Sequence, residues 1–171
     1  ETAKQKVGIK VEVTDDTKVE TVKYAKGIQR ESYFTSSGTG IENNSVFYVT
    51  ENGYYTIYAQ DGVGNTSTYT IEITNIDLEA PEIEISISPD NKITTEVEIN
   101  IDYGDSTTKQ YKIGETNTTW STYTNAITLT SDTVIAKEWG NSDGTVTIYA
   151  KGTDTAGNEQ IVAEKILTLD I

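Results

Sequence analysis

Alternation of apolar and polar residues with a period of two constrains this chain more than any other feature of its sequence. Val7, Ile9, Val11 and Val13 are separated by Gly8, Lys10 and Glu12; Ile83, Ile85 and Ile87 by Glu84 and Ser86; Val97, Ile99 and Ile101 by Glu98 and Asn100. Successive side chains of a strand point to opposite faces of a sheet, so each run predicts a half-buried strand. Runs at residues 69 to 73, 126 to 130 and 161 to 169 obey the same rule, and no window sustains the i, i+3, i+4, i+7 stripe of an amphipathic helix. Thr, Val, Ile and Tyr suit a pleated surface. Turn-forming clusters at residues 35 to 40, 61 to 65, 88 to 91 and 141 to 144 punctuate the runs. The expectation is an all-β chain of antiparallel strands in a sandwich or barrel.

The chain also repeats. GYYTIYAQDGVGN, starting at Gly53, returns as GTVTIYAKGTDTAGN, starting at Gly144, 91 positions later. Upstream, VGIKVEVTDD followed by VKYAKG matches VEINIDYGD followed by YKIG. One unit recurs at about that spacing, which predicts two tandem modules, residues 1 to 78 and 79 to 171. The junction is the polar stretch Asn75, Ile76, Asp77, Leu78, Glu79, Ala80, ending at Pro81, one of only 2 prolines. The lead-ins differ: about 17 residues, 80 to 96, precede Val97, whereas only residues 1 to 6 precede Val7. The first module is therefore expected to lack its opening strand. Residues 1 to 6 are then irregular or a shortened edge, and the parent protein continues upstream.

Composition removes whole classes of chemistry. Cys, His and Met are all absent. That excludes disulfides, thiol nucleophiles, imidazole bases and His- or Cys-ligated metals. Thirteen basic residues against 27 acidic ones give a net charge of −14. With no basic cluster, the chain repels phosphate backbones and anionic membranes. Residues 1 to 79 carry 7 basic and 12 acidic residues, the remainder 6 and 15, so the second module is the more acidic. No apolar run reaches the 18 or so residues of a membrane span.

At this point the residues carry a family likeness. The pattern NG-x-Y-T-x-x-A-x-D-x-x-GN, an alternating strand and a D-x-x-AP junction resemble the tandem bacterial immunoglobulin-like repeats of cell-surface and secreted proteins. Asn52, Gly53, Tyr55, Thr56, Ala59, Asp61, Gly64 and Asn65 fit it in the first copy; Gly144, Thr147, Ala150, Asp154, Gly157 and Asn158 fit it in the second, joined by Tyr111, Lys112, Ile113, Trp120 and Tyr123. The resemblance implies a seven-strand Greek-key sandwich per module, strung as beads in a rod. There are departures from antibody domains: Ile57 and Ile148 stand at the second Cys position, and Tyr111 or Ile113 where the Trp strand lies. Tyr55 is a candidate tyrosine corner; Val146 replaces it in the second copy.

Candidate functional residues follow. Asp61 and Asp154 suit tight turns closed by their own carboxylates, with Gly and Asn beside them tolerating positive φ. In the implied Greek key the Asp154 turn faces the linker, so Asp77, Glu79 and Asp154 are candidate ligands of an interdomain Ca²⁺. The period of two puts Tyr54, Thr56 and Tyr58 on the solvent face of their strand, with Tyr149 placed likewise, as a candidate sugar platform. Trp120, Trp139, Tyr123, Phe34 and Phe47 are expected in the core or at sheet edges, with Trp139 the alternative ligand platform if exposed. The pairs Asp15 with Asp16 and Asp102 with Asp105 read as solvated strand ends. Sequons occur at Asn43, Asn65 and Asn117. A Lys–Asn crosslink, known from some adhesin immunoglobulin-like domains, needs a buried acid beside the pair, which sequence alone does not place.

The leading expectation is non-catalytic: spacer or stalk modules of a bacterial cell-surface or secreted protein, extracellular and monomeric, with no catalytic residues and no required cofactor. Their partners are other domains of the same polypeptide. Two alternatives stand beside it: an adhesin module binding a glycan or host protein through the Tyr54 and Tyr58 face or the Trp139 region, and an accessory module of a secreted glycan-degrading enzyme.

Overall fold

Strands form where the alternating runs lie. The computed structural model describes residues 3–89, 96–133 and 145–166, and the described chain is all-β with antiparallel sheets. It divides into two compact units, Glu1–Leu78 and Glu79–Ile171.

Unit 1 contains β1 (Val7–Lys10), β2 (Val19–Lys26), β3 (Thr39–Gly40), β4 (Val46–Val49), β5 (Gly53–Asp61) and β6 (Thr66–Ile73), with a 3₁₀ turn at Glu31–Thr35. Its sheets have the orders β1-β4 and β3-β2-β5-β6. Unit 2 contains β7 (Glu84–Ser88), β8 (Glu96–Asp102), β9 (Thr108–Ile113), β10 (Ser121–Thr122), β11 (Ile127–Thr130), β12 (Val146–Thr153) and β13 (Glu159–Ile166). Its sheets have the orders β11-β8-β7 and β10-β9-β12-β13. Matching strands pair in matching register: Val7 faces Val49 and Ile9 faces Phe47 in unit 1, as Val97 faces Leu129 and Ile99 faces Ile127 in unit 2. The internal repeat is thus a repeat of strand order.

The apolar face of each run makes the core. In unit 2, Val97, Ile99 and Ile101 from the smaller sheet meet Ile113, Val146, Ile148 and Ala150 from the larger, with Ile99 and Ile148 fully buried. Each such isoleucine contributes about 1.5–3 kcal/mol relative to exposure. In unit 1, Ile9, Val11, Phe47 and Val49 meet Val22, Tyr55, Ile57 and Ile73. Tyr24 stacks on Phe47 at 3.8 Å between ring centres. Tyr55 is buried and its hydroxyl donates to the Glu51 carbonyl at 2.8 Å, the upstream bond that a tyrosine corner requires. At the matching position Val146 is simply buried.

Among the described residues the smaller sheets differ by one strand. In unit 2, β7 pairs with β8 antiparallel, Ile87 facing Ile99 and Ile85 facing Ile101. In unit 1 no strand among the described residues pairs with the corresponding edge of β1. Instead Lys4 makes an isolated parallel bridge to Ile76: its N–H donates to the Asn75 carbonyl and its carbonyl accepts from the Asp77 N–H, both at 2.9 Å.

Candidate functional site

The D-x-x-GN segments are the most strongly built local features of either unit. Asp61 Oδ1 accepts the N–H groups of Val63 at 2.9 Å and Asn65 at 2.8 Å, and Oδ2 accepts Asn65 Nδ2 at 2.7 Å. Asp154 Oδ1 accepts from Gly157 N at 2.7 Å and Asn158 N at 2.9 Å, and Oδ2 from Asn158 Nδ2 at 2.9 Å. Gly64 and Gly157 sit at φ +96° and +95°, a conformation that disfavours any side chain. Burial pushes both carboxyls up, but the side-chain amide and backbone N–H groups of Asn65 or Asn158, with their neighbours, outweigh it and hold both below the ordinary Asp value. The turn uses the charge as an internal cap.

That geometry bears on the linker residues. The Glu79 carbonyl accepts Asn158 Nδ2 at 2.9 Å, so the Asp154 turn is fastened to the start of its own unit through Asn158. Asp77 contributes its backbone N–H to Lys4. Among the described residues no group of three or more acidic side chains lies close enough to hold a metal ion.

On the outer face of the four-stranded sheet the two units diverge, and the tyrosine expectation needs correcting. Tyr54 is 43% exposed, its hydroxyl held by Glu72, which raises its pKa. Tyr58 is buried, because the chain between β2 and β3 folds back and lays Phe34 over it, rings stacked at 5.0 Å. Thr56 is fully buried: its hydroxyl donates to the Gly27 carbonyl at 2.7 Å, accepts the Gln29 N–H at 3.0 Å and lies 3.1 Å from Thr70 Oγ1. Alternation told correctly which face these side chains share, but a connecting segment covers that face.

In unit 2 the matching face carries a cation–aromatic cluster. Lys112 lies directly across from Tyr149, its Nζ 4.4 Å from that ring's centre and 5.6 Å from that of Trp120. Lys151 Nζ is 5.0 Å from the Trp120 ring and 3.8 Å from Glu159 Oε2. Trp120 and Tyr149 are half-buried. Of the two places expected for Trp120, core or sheet edge, it takes the edge: it adjoins edge strand β10, on the outer face. Tyr123, Phe34 and Phe47 do pack inside: Phe34 against Tyr58, Phe47 in the core of unit 1, and Tyr123 against the core of unit 2, its hydroxyl accepting the Ile101 N–H at 3.0 Å. Trp139 lies outside the described residues.

Two asparagines acquire roles that sequence reasoning missed. Asn52 grips Ile76 through both ends of its amide, Nδ2 to the carbonyl and Oδ1 from the N–H, each at 2.8 Å. Asn43 does the same to Val13, at 2.7 and 2.8 Å. Each amide imitates a strand partner where the chain leaves a sheet; Asn52 was legible only as part of the repeat motif. Two of the three sequon asparagines thus use Nδ2 internally, Asn43 on Val13 and Asn65 on Asp61. Asn117 Oδ1 accepts the Thr119 N–H. Asp15 caps Thr17 and Asp102 caps Gly104, so both act in turns. Lys112 Nζ bonds the backbone carbonyl of Asn117 at 3.2 Å, and Lys23 that of Phe34 at 2.8 Å. The second expresses the same device in unit 1, where Lys23 faces Tyr58.

No protein-family model matches the chain, and no curated protein is significantly similar to it.

Proposed function

We propose that the chain is a pair of immunoglobulin-like Greek-key sandwiches serving as non-catalytic spacer modules of a bacterial cell-surface or secreted protein. The observation that carries this reading is repetition: apart from β7, which has no counterpart among the described residues of unit 1, the same order of strands, around a separate apolar core, occurs in each unit. A module with an apolar core of its own can be strung in tandem without drawing on its neighbour's core, which is what a stalk demands. The bridge between Lys4 and Ile76 supports it further. Those segments run parallel near the two ends of unit 1, so tension along the chain loads both of their hydrogen bonds together. Asn52, holding Ile76 from another direction, adds two more.

Presentation of an epitope tests the reading. The chain is anchored by its first residue in a polymer brush with a tag after residue 171. Antibody access should depend on the number of units and remain when Trp120 and Tyr149 are replaced by alanine. Access that is no better than for a tag anchored directly rules the spacer out.

A second reading has an observation of its own. The cluster of Trp120, Tyr149, Lys112 and Lys151 offers flat rings and two cations on one half-exposed sheet face, suited to a glycan or an acidic protein surface. Glycan-array binding that is lost in Trp120→Ala would favour an adhesin.

A further inference from the structure

The edge of β1 with which no strand among the described residues pairs opens onto a groove. Its volume is about 660 Å³, and its walls include Ile9, Val11 and Val13 on one side and Ile57, Tyr69 and Ile71 on the other. Tyr69 lies directly across from buried Ile57 and so on the inward face of its sheet, yet it is 70% exposed. Among the described residues no strand of the facing layer covers that ring.

The edge itself is ready to pair. Val11 donates to the Ser45 carbonyl at 2.9 Å, and the β1 to β4 register places Val7, Ile9 and Val11 in its hydrogen-bonded pairs. The N–H and C=O groups of Gly8, Lys10 and Glu12 therefore point the other way, toward the groove. Unit 2 shows what belongs there. At the equivalent edge, β7 pairs antiparallel with β8 and packs Ile85 and Ile87 against the core. Mapped through the common register, Ile87 falls opposite Ile9 and Ile85 opposite Val11.

We propose that unit 1 is a strand acceptor: its groove takes an extended polypeptide segment, apolar at alternate positions and antiparallel to β1, supplied by polypeptide outside the two described units. Recognition divides in two. Backbone hydrogen bonds to Gly8, Lys10 and Glu12 supply generic affinity, and the spacing of two apolar side chains over Ile9 and Val11 supplies register.

The probe is a capped peptide of residues 82 to 89, EIEISISP, titrated into the full chain and followed by amide NMR. Saturable 1:1 binding is expected, with shifts and slowed exchange at Gly8, Lys10 and Glu12. A peptide with serine for both central isoleucines should bind about a hundredfold or more weaker. Lys10→Pro removes an N–H from the free edge while leaving the β4 pairing intact, and should abolish binding. Should that variant not fold, the same peptide fused through a flexible linker ahead of residue 1 must raise the melting temperature of unit 1. Absence of binding in trans together with absence of stabilisation in cis overturns the proposal. So does equal binding by the serine peptide. Protection of the same amides that grows with protein concentration in the chain alone, marking a second copy as the occupant, overturns it as well.

Discussion

Thr56→Val isolates the contribution of one hydroxyl. Valine keeps the shape of threonine and suits a strand, so core packing and β5 pairing are preserved. What is lost is the donor to Gly27 O and the acceptor for Gln29 N, which hold the start of the segment that covers Tyr58. A buried polar group left without its partner costs about 1–3 kcal/mol. Gly27 and Gln29 are half-buried, so water partly reaches them, and the lower end applies to each: roughly 2 kcal/mol for the pair. At about 4–8 °C per kcal/mol for a domain of this size, unit 1 should melt roughly 8–16 °C lower. Thr147 occupies the matching strand position in unit 2 and its hydroxyl has no hydrogen-bond partner among the described residues, so Thr147→Val should change stability by under about 0.5 kcal/mol. Both tryptophans lie in unit 2, at positions 120 and 139, so fluorescence follows that unit while amide signals of residues 19 to 61 follow the other. Equal shifts in the two variants, or a unit 1 shift below about 2 °C, refute the reasoning.

Three further outcomes follow from the turns and clasps. Asp61 and Asp154 have folded pKa values below the unfolded value, so the stability they contribute is fully present above about pH 4 and is lost as pH falls through the lowered folded values; acid melting curves should flatten in that range in Asp61→Asn and Asp154→Asn, and unchanged curves contradict this. Asn52→Ala should destabilise unit 1 by roughly 1–2 kcal/mol and speed amide exchange at Ile76, with the tryptophan fluorescence transition of unit 2 unmoved. Because each Asp154 oxygen already accepts turn hydrogen bonds, millimolar calcium should leave the melting temperatures unchanged relative to chelator; stabilisation near the roughly 2.7 kcal/mol expected at a hundredfold excess over Kd would contradict this.

The strands were legible because alternation is a local property. The runs beginning at Val7, Ile83 and Val97 place Ile9, Ile85, Ile99 and Ile101 on inward faces, and all four pack into the cores. The Asp turns were legible for the same reason, since their hydrogen bonds span four residues. What escaped depends on long-range contact. The burial of Tyr58 needs Phe34, 24 positions earlier and on no strand, and the clasp of Asn52 on Ile76 spans 24 positions. Periodicity assigns a face to a side chain, but not whether a loop later covers it. For Trp120 the expectation left core and sheet edge open; the residue adjoins edge strand β10, and what escaped sequence reasoning is that two lysine side chains flank its ring on the outer face.

Pulling the full chain from its two ends in a force spectrometer tests the central claim most directly. Two modules with separate cores under tension should give two separate unfolding events. Chains of 78 and 93 residues release about 270 and 320 Å of extended contour before the folded lengths are subtracted. The shorter event should move to lower force in Asn52→Ala, and the longer one should not. A single event near 600 Å, or smooth extension without peaks, would contradict the account.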